Sequence, residues 1–291
     1  MASSRRFDLA RPRASVRAGR ATLRFYQADC LDVLTALPAG SVSVIVTSPP
    51  YNLGIGYRTY DDTMPRQEYL DWSGRWIAAA TTALDARGSL FLNVGAKPSD
   101  PWTALDVAQA ARPHLHLQNT IHWVKSIAID ARASGAGEAL SVGHYKPINS
   151  PRFVNDCHEF VFHFTPEGRT PLDRTAIGVP YQDASNIARW RAGGANVRCR
   201  GNTWFIPYET IQSRDKDRPH PATFPARLPE YCFRLHGLSR VQLALDPFLG
   251  LGSSAVAAAQ LGLDFIGVEL DPHYLTEAID RVKAAIGIAD P

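Results

Sequence analysis

A chain of 291 residues with 45% hydrophobic and 20% charged side chains is long and apolar enough to bury a substantial core. That composition, with only four cysteines at 30, 157, 199 and 232, excludes disordered, collagen-like and disulfide-stapled classes, and with no C-x-x-C pair the cysteines suggest no zinc site. The net charge of +3 is too small to identify a polyanionic partner by itself.

Short apolar runs alternate with helical patterns, the signature of an α/β protein with a mostly parallel sheet. Thr22–Gln27 reads as a strand, and Ser41–Thr47 (SVSVIVT) as a β-branched strand buried on both faces. Gln67–Leu84 has helical spacing, Ser89–Val94 is a strand, and Trp102–Ala111 is a helix. Gln118–Lys125 and Glu159–Phe164 are further strands. Toward the C-terminus come a strand at Val241–Leu245, a helix at Ser253–Leu261, a strand at Asp264–Glu269 and a helix at Pro272–Ile286. Residues 126–157, with Gly135, Gly137, Gly143 and Pro147, read as an extended loop.

Residues 165–219 are rich in Arg, Gly, Pro and Asn and lack periodicity. Unstructured connections of this length are usually functional. Their centre carries Arg189, Arg191, Arg198 and Arg200 with Trp190, Trp204, Phe205 and Tyr208 interleaved and no acid between 186 and 208. Arginines fork onto phosphates and guanine edges and aromatics stack on bases, although a small satellite core would use the same aromatics. Residues 166–219 have a net charge of +3, and residues 1–21, with six arginines against Asp8, a net of +5; the rest of the chain is left acidic at −5. Residues 1–21 lack the apolar stretch of a secretory signal and read as a disordered basic arm. No apolar run reaches the ~18–20 residues of a membrane span, and the scattered, unpaired cysteine pattern makes a reducing cytoplasm the expected location.

Two turns carry the chemistry. Asp246-Pro-Phe-Leu-Gly250-Leu-Gly252-Ser253-Ser follows a strand and opens a helix, and Glu269 ends the next strand. Glycines there permit a close ligand approach at a helix N-terminus, and a carboxylate at the following strand end can accept both ribose hydroxyls. Asp246 and Phe248 add an acid and an aromatic, which suits a cationic adenosyl ligand such as S-adenosylmethionine better than a pyrophosphate. Thr47-Ser48-Pro49-Pro50-Tyr51-Asn52 follows the most apolar strand. Its prolines lack N–H groups, Ser48 can donate or accept, and Tyr51 offers a flat face to a planar amino-bearing base.

TSPPYN together with DPFLGLGSS resembles the amino-group DNA methyltransferases, in the permuted beta order where the catalytic motif precedes the cofactor motif. The resemblance runs from about residue 22 nearly to the end. It implies a doubly wound, mostly parallel, seven-strand Rossmann-like sheet, circularly permuted, with an inserted target-recognition region. The halves would be 22–165 (catalytic) and 220–291 (cofactor-binding), with recognition at 166–219. Ala28-Asp29-Cys30-Leu31-Asp32 is similar to the segment that contacts the cofactor adenine, through Asp29. His158-Glu-Phe-Val-Phe-His-Phe164 matches the H-E-x-x-x-x-F strand beside the target pocket. His220-Pro-Ala-Thr223-Phe-Pro225 resembles the H-P-x-x-x-P motif at the methionine end of the cofactor. The resemblance thus implies Ser48, Pro49, Pro50 and Tyr51 as catalytic, and Asp29, Asp246, Phe248, Gly250, Gly252, Ser253, Glu269, His220 and Thr223 as cofactor-binding.

Lys146 and Arg152, near the expected pocket mouth, either touch DNA with Arg189, Arg191, Arg198 and Arg200 or brace the loop. No metal is implied. S-P-P-Y is more typical of cytosine-N4 than of adenine-N6 enzymes, and no cysteine follows a proline, as cytosine-C5 chemistry would need. The resemblance implies S-adenosylmethionine, double-stranded DNA, base flipping and, in a restriction-modification system, a cognate endonuclease; monomer and homodimer stay open. The rival readings are an adenine-N6 enzyme, a methyltransferase of RNA or protein amides, and a DNA-binding protein that has lost catalysis.

Overall fold

The computed structural model describes residues 7–135, 137–143, 148–189, 195–207 and 223–288. Strands are β1 (Ala14–Ala18), β2 (Ala21–Gln27), β3 (Val42–Thr47), β4 (Leu84–Val94), β5 (His116–Val124), β6 (Ser126–Ile129), β7 (Leu140–Gly143), β8 (His158–Thr165), β9 (Thr203–Phe205), β10 (Ala244–Asp246) and β11 (Phe265–Glu269). Helices are α1 (Cys30–Ala36), α2 (Arg66–Ala83), α3 (Trp102–Ala111), α4 (Ala131–Ser134), α5 (Ser185–Arg189), α6 (Arg227–His236), α7 (Ser253–Leu261) and α8 (Pro272–Ala285).

Every residue of β3 is buried, as a strand covered on both faces requires. It lies inside a nine-stranded sheet of order β1-β2-β11-β10-β3-β4-β8-β5-β9. The inner seven strands are parallel except β8, which runs antiparallel to both β4 and β5. Side chains alternate between two cores. Val44, Val46, Phe91 and Phe265 face α6, α7 and α8, whereas Ile45, Leu90, Leu92 and Ile266 face α1, α2 and α3. The chain leaves β3 toward β4 on one side and β10 toward β11 on the other. The strand order therefore reverses between β3 and β10, where doubly wound sheets open a crevice at the carboxyl ends of their strands.

Four expectations change. The basic arm is structured from Ala14: β1 pairs antiparallel with β2 through a two-residue turn with Gly19 at φ 61°. Val16 and Ala18 point inward while Arg17 points out, so a period-2 pattern lies beneath the arginine count. The 126–157 segment is not a plain loop, because β6 and β7 form a hairpin-like two-stranded sheet around α4. The region 166–219 contributes β9 to the main sheet, beside β5, and buries Ile177 and Trp204 in the core. Trp204 is 1% exposed and donates its indole N–H to the Gly201 carbonyl at 3.1 Å, so it is a core residue and not a stacking platform. Finally, α1 and α6 are helices the strand-and-helix alternation did not reveal; α6 is short and α1 has only seven residues.

Candidate active site

The ends of β3 and β10 deliver the two turns into one cavity. Its wall includes Ser48, Pro49, Pro50 and Tyr51 from the first turn and Phe248, Leu249, Gly250, Leu251 and Ser253 from the second. Asp29, at the N-terminus of α1, and Glu269, at the end of β11, supply its two carboxylates. Tyr57, Tyr60, Trp72, Phe224 and Tyr274 add aromatic faces, and Thr223 lies beside Phe224. Among the described residues that line it there is no lysine or arginine. Two acids, many rings and no basic side chain fit a cationic adenosyl ligand and oppose a polyphosphate.

Most of the residues singled out from the sequence meet there, in different roles. Asp29 caps α1 by accepting from the Leu31 N–H at 2.8 Å. Glu269 accepts from the amides of Gly250 (2.8 Å) and Asp271 (2.9 Å), which fixes its carboxylate while leaving lone pairs for a ligand. Burial pushes its pKa up, and those backbone donors oppose the shift. Phe248 packs edge-on to Trp76 at 5.1 Å and tilted on Trp72 at 5.5 Å.

Asp246 and Gly252 are not in the wall. Asp246 is 1% exposed and joins three elements, accepting from Thr47 Oγ1 (2.6 Å), Ser254 Oγ (2.5 Å) and the Phe248 amide (3.0 Å). Desolvation raises its pKa to about 6 against those hydrogen bonds. Gly252 sits at φ 75°, and a Cβ there would come within 2.8 Å of Ala278 Cβ on α8. The turn conformation and the packing against α8 both require glycine there. His220 lies outside the described residues.

The Ser48–Tyr51 turn is held from several sides. Tyr69 donates to the Pro50 carbonyl at 2.8 Å, so that carbonyl is engaged within the fold. Asp62, 1% exposed, accepts from the amides of Asn52, Leu53 and Ile55 at 2.8, 3.0 and 3.0 Å. Asn52 takes the left-handed conformation at φ 57° and donates to the Met64 carbonyl at 2.7 Å. This staple carries Tyr57 and Tyr60 over the cavity. Tyr51 is 9% exposed, and its hydroxyl lies 2.6 Å from Ser48 Oγ, 2.5 Å from Asn93 Nδ2 and 3.1 Å from Glu159 Oε2. Sequence reasoning missed Asn93, Asp62, Tyr57 and Tyr60. The signal for Asn93 was a polar residue after the apolar LFL run of the SLFLNV strand; Asp62 gave none. Cys30 is the one cysteine in the described wall, and burial holds its thiol far above the ordinary range, so no thiolate nucleophile is offered.

The arginines divide. Arg200 donates to the Ile177 carbonyl at 2.8 Å and lies over Tyr231 at 5.0 Å, bracing the fold. Arg152, Arg189 and Arg198 are exposed, whereas Lys146 and Arg191 lie outside the described residues. None of the described arginines lines the cavity.

A family model for DNA methylases of the N6/N4 type matches residues 42–280. The chain belongs to that N6/N4 DNA methylase family. Type II methyltransferase M.XycI of Xanthomonas campestris pv. cyanopsidis is 28% identical to this methylase over 283 residues, covering 89% of this chain and 87% of the relative. M.BglII of Bacillus subtilis is 26% identical over 266 residues, and the chain spans 66% of its length. Among solved structures, the PvuII DNA methyltransferase (cytosine-N4-specific) superposes with a TM-score of 0.61 over 91% of each chain at 18% identity. A Thermus thermophilus DNA modification methylase complexed with S-adenosyl-L-methionine gives a TM-score of 0.57 at 22% identity, covering 90% of this chain and 94% of that one. At those identities the likeness is one of fold. Among the described residues no helix is long and apolar enough to cross a membrane.

Proposed function

We propose that this methylase transfers a methyl group from S-adenosylmethionine to the exocyclic N4 amine of a cytosine flipped out of double-stranded DNA. The observation that carries the reading is the meeting of the Ser48–Tyr51 turn with the acid-and-aromatic cavity at the point where the strand order reverses. Glu269 would hold the ribose hydroxyls, Asp29 the adenine side, and Phe248, Ser253 and Thr223 the remaining surface of the cofactor. Bound there, S-adenosylmethionine supplies an electrophilic methyl on a positively charged sulfur.

The chain's own residues supply positioning and proton acceptance. An exocyclic amine is a weak nucleophile because its lone pair is delocalised into the ring. Acceptors at Ser48 Oγ and the Pro49 carbonyl would draw on its N–H groups and favour a more tetrahedral nitrogen. Tyr51 presents its ring to the extruded base, which must leave the stack to reach the cavity. The S-P-P-Y form of the turn favours cytosine N4 over adenine N6, and the PvuII methyltransferase that shares this fold is cytosine-N4-specific. The exposed Arg152, Arg189 and Arg198, with Lys146 and Arg191, would engage DNA phosphates from the recognition region at 166–219 and the neighbouring loop. A type II restriction partner acting on the same site is the natural companion of such an enzyme.

The experiment is methyl transfer from labelled S-adenosylmethionine to duplex DNA, RNA and protein by the purified chain. Label in DNA alone is expected, with DNA affinity falling steeply as salt rises. Label in RNA or protein alone overturns the DNA assignment, and no label with intact cofactor binding identifies a chain that only binds.

A further inference from the structure

The contacts around Tyr51 have a direction. Glu159 lies on β8, and its Oε1 is paired with the Lys125 ammonium at 2.9 Å. Its Oε2 is met by Asn93 Nδ2 at 2.7 Å and by the Tyr51 hydroxyl at 3.1 Å. An ionised carboxylate only accepts, so Tyr51 must donate to it. A phenol has one proton. The 2.6 Å contact between Ser48 Oγ and the Tyr51 hydroxyl must therefore be made with the proton of Ser48. Asn93 Nδ2, 2.5 Å from the Tyr51 oxygen, is a donor as well and enforces the same polarity. The fold makes room for this meeting at Gly95, where a Cβ would lie 3.0 Å from Tyr51 Cε2 and 3.2 Å from Glu159 Cδ.

We infer that Glu159 is a positioning residue that sets the polarity of a relay from Ser48 through Tyr51, so that Ser48 meets the target amine as an acceptor and the proton the amine sheds comes to rest on Glu159. The inference rests on the amino-methyltransferase reading above and deepens it. Serine alone is ambiguous: a hydroxyl that donated to the amine nitrogen would occupy the lone pair that has to react. With its proton drawn inward, Ser48 shows only lone pairs to the amine.

Atoms and charges balance along the relay. The amine nitrogen forms a bond to the methyl carbon with its lone pair, the carbon–sulfur bond breaks with its electron pair left on sulfur, and the nitrogen gives up one N–H proton to Ser48 Oγ. Ser48 passes its own proton to Tyr51, and Tyr51 passes its proton to Glu159 Oε2. One N–H bond is lost and one O–H bond is gained, at Glu159. The positive charge that the methyl donor gives up is matched by the negative charge lost from the carboxylate. Lys125 stays an ammonium, and the acid later releases its proton to water.

The test uses the full chain as Glu159→Gln, Tyr51→Phe and the double variant. Tyr51→Phe removes one oxygen and keeps the ring. Melting temperature, S-adenosylmethionine Kd, DNA KM and single-turnover transfer are measured, together with the Tyr51 Cζ resonance in ligand-free protein labelled at tyrosine with carbon-13. The resonance is assigned by its loss in Tyr51→Phe. Each single variant is expected to slow transfer by about 100-fold, the lower end for proton transfer by a positioned group. Cofactor Kd and DNA KM should stay within about twofold, and the double variant should be no slower than the slower single one, as members of one relay behave. The Tyr51 resonance should move in Glu159→Gln. Full-rate transfer in either single variant, multiplying losses in the double, or an unmoved resonance overturns the relay. Tyr51→Phe decides by rate alone if Glu159→Gln does not fold. A wild-type chain that methylates no DNA sinks the functional reading instead, and the resonance, which needs no substrate, tells the two failures apart.

Discussion

Two turns follow neighbouring parallel strands and line one cavity. The turn after β3 is proline-rich, and the Ser48 hydroxyl meets the Tyr51 network there. The turn after β10 is glycine-rich, and its amides are engaged by carboxylates, Gly250 by Glu269 and Phe248 by Asp246. Proline withholds donors and leaves acceptors, which suits an amine; glycine brings bare backbone and donors together, which organises acids. The hydrogen bond of 2.6 Å from Thr47 to Asp246 ties the bases of the two turns. On the proposed reading, acceptors for the amine and acids for the cation are thus tied together through the sheet itself.

Substitutions can break each turn separately. The largest expected effect is in the first: Ser48→Ala should reduce transfer by about 100-fold or more, with S-adenosylmethionine Kd unchanged, as loss of a preorganised polar group at a reacting centre does. Equal loss in Kd and transfer would place Ser48 in cofactor binding and erase the contrast. In the second turn, Glu269→Ala should weaken S-adenosylmethionine by about 10–100-fold, the value of a hydrogen bond to a charged group, read by calorimetry. Gly252→Ala tests packing and not binding. A Cβ within 2.8 Å of Ala278, at φ 75°, should cost about 1–3 kcal/mol in denaturant unfolding, with cofactor Kd of the folded fraction unchanged.

The smallest effect lies beneath the turns. Ser89 Oγ joins His163 Nε2 (3.0 Å) and His236 Nδ1 (2.9 Å) in the core. Desolvation lowers the two imidazoles to about 3 and about 4 from the ordinary 6.5. The unfolded chain binds protons below about 6.5 that the folded chain does not, so this stability is complete at neutral pH and is lost as pH falls toward 4. Asp246 acts with the opposite sign between 3.8 and about 6. Comparison with His236→Gln isolates the imidazole share: between pH 7 and 5 the wild type should lose more stability than the variant, and equal losses would refute it.

Much of this was legible in the sequence because the informative features are local. Two turns at strand ends, the β-branched run of β3 and the acid ending β11 need no knowledge of distant contacts. The pairing of Asp62 with three amides, the burial of Asp246 and the engagement of Arg200 by Ile177 depend on chain segments that meet only after folding. The arginine count also masked β1, since alternation over five residues is a weaker signal than six basic side chains. Trp204 resolves the alternative the other way: the core it joins is that of the main sheet, at its β9 edge, and not a satellite of its own.

The central claim is transfer to cytosine N4, and one measurement bears on it most directly. Plasmid DNA modified by the wild-type chain is digested to nucleosides and analysed by mass spectrometry. N4-methylcytosine, absent from DNA exposed to Ser48→Ala, is the predicted product; N6-methyladenine alone would contradict the account.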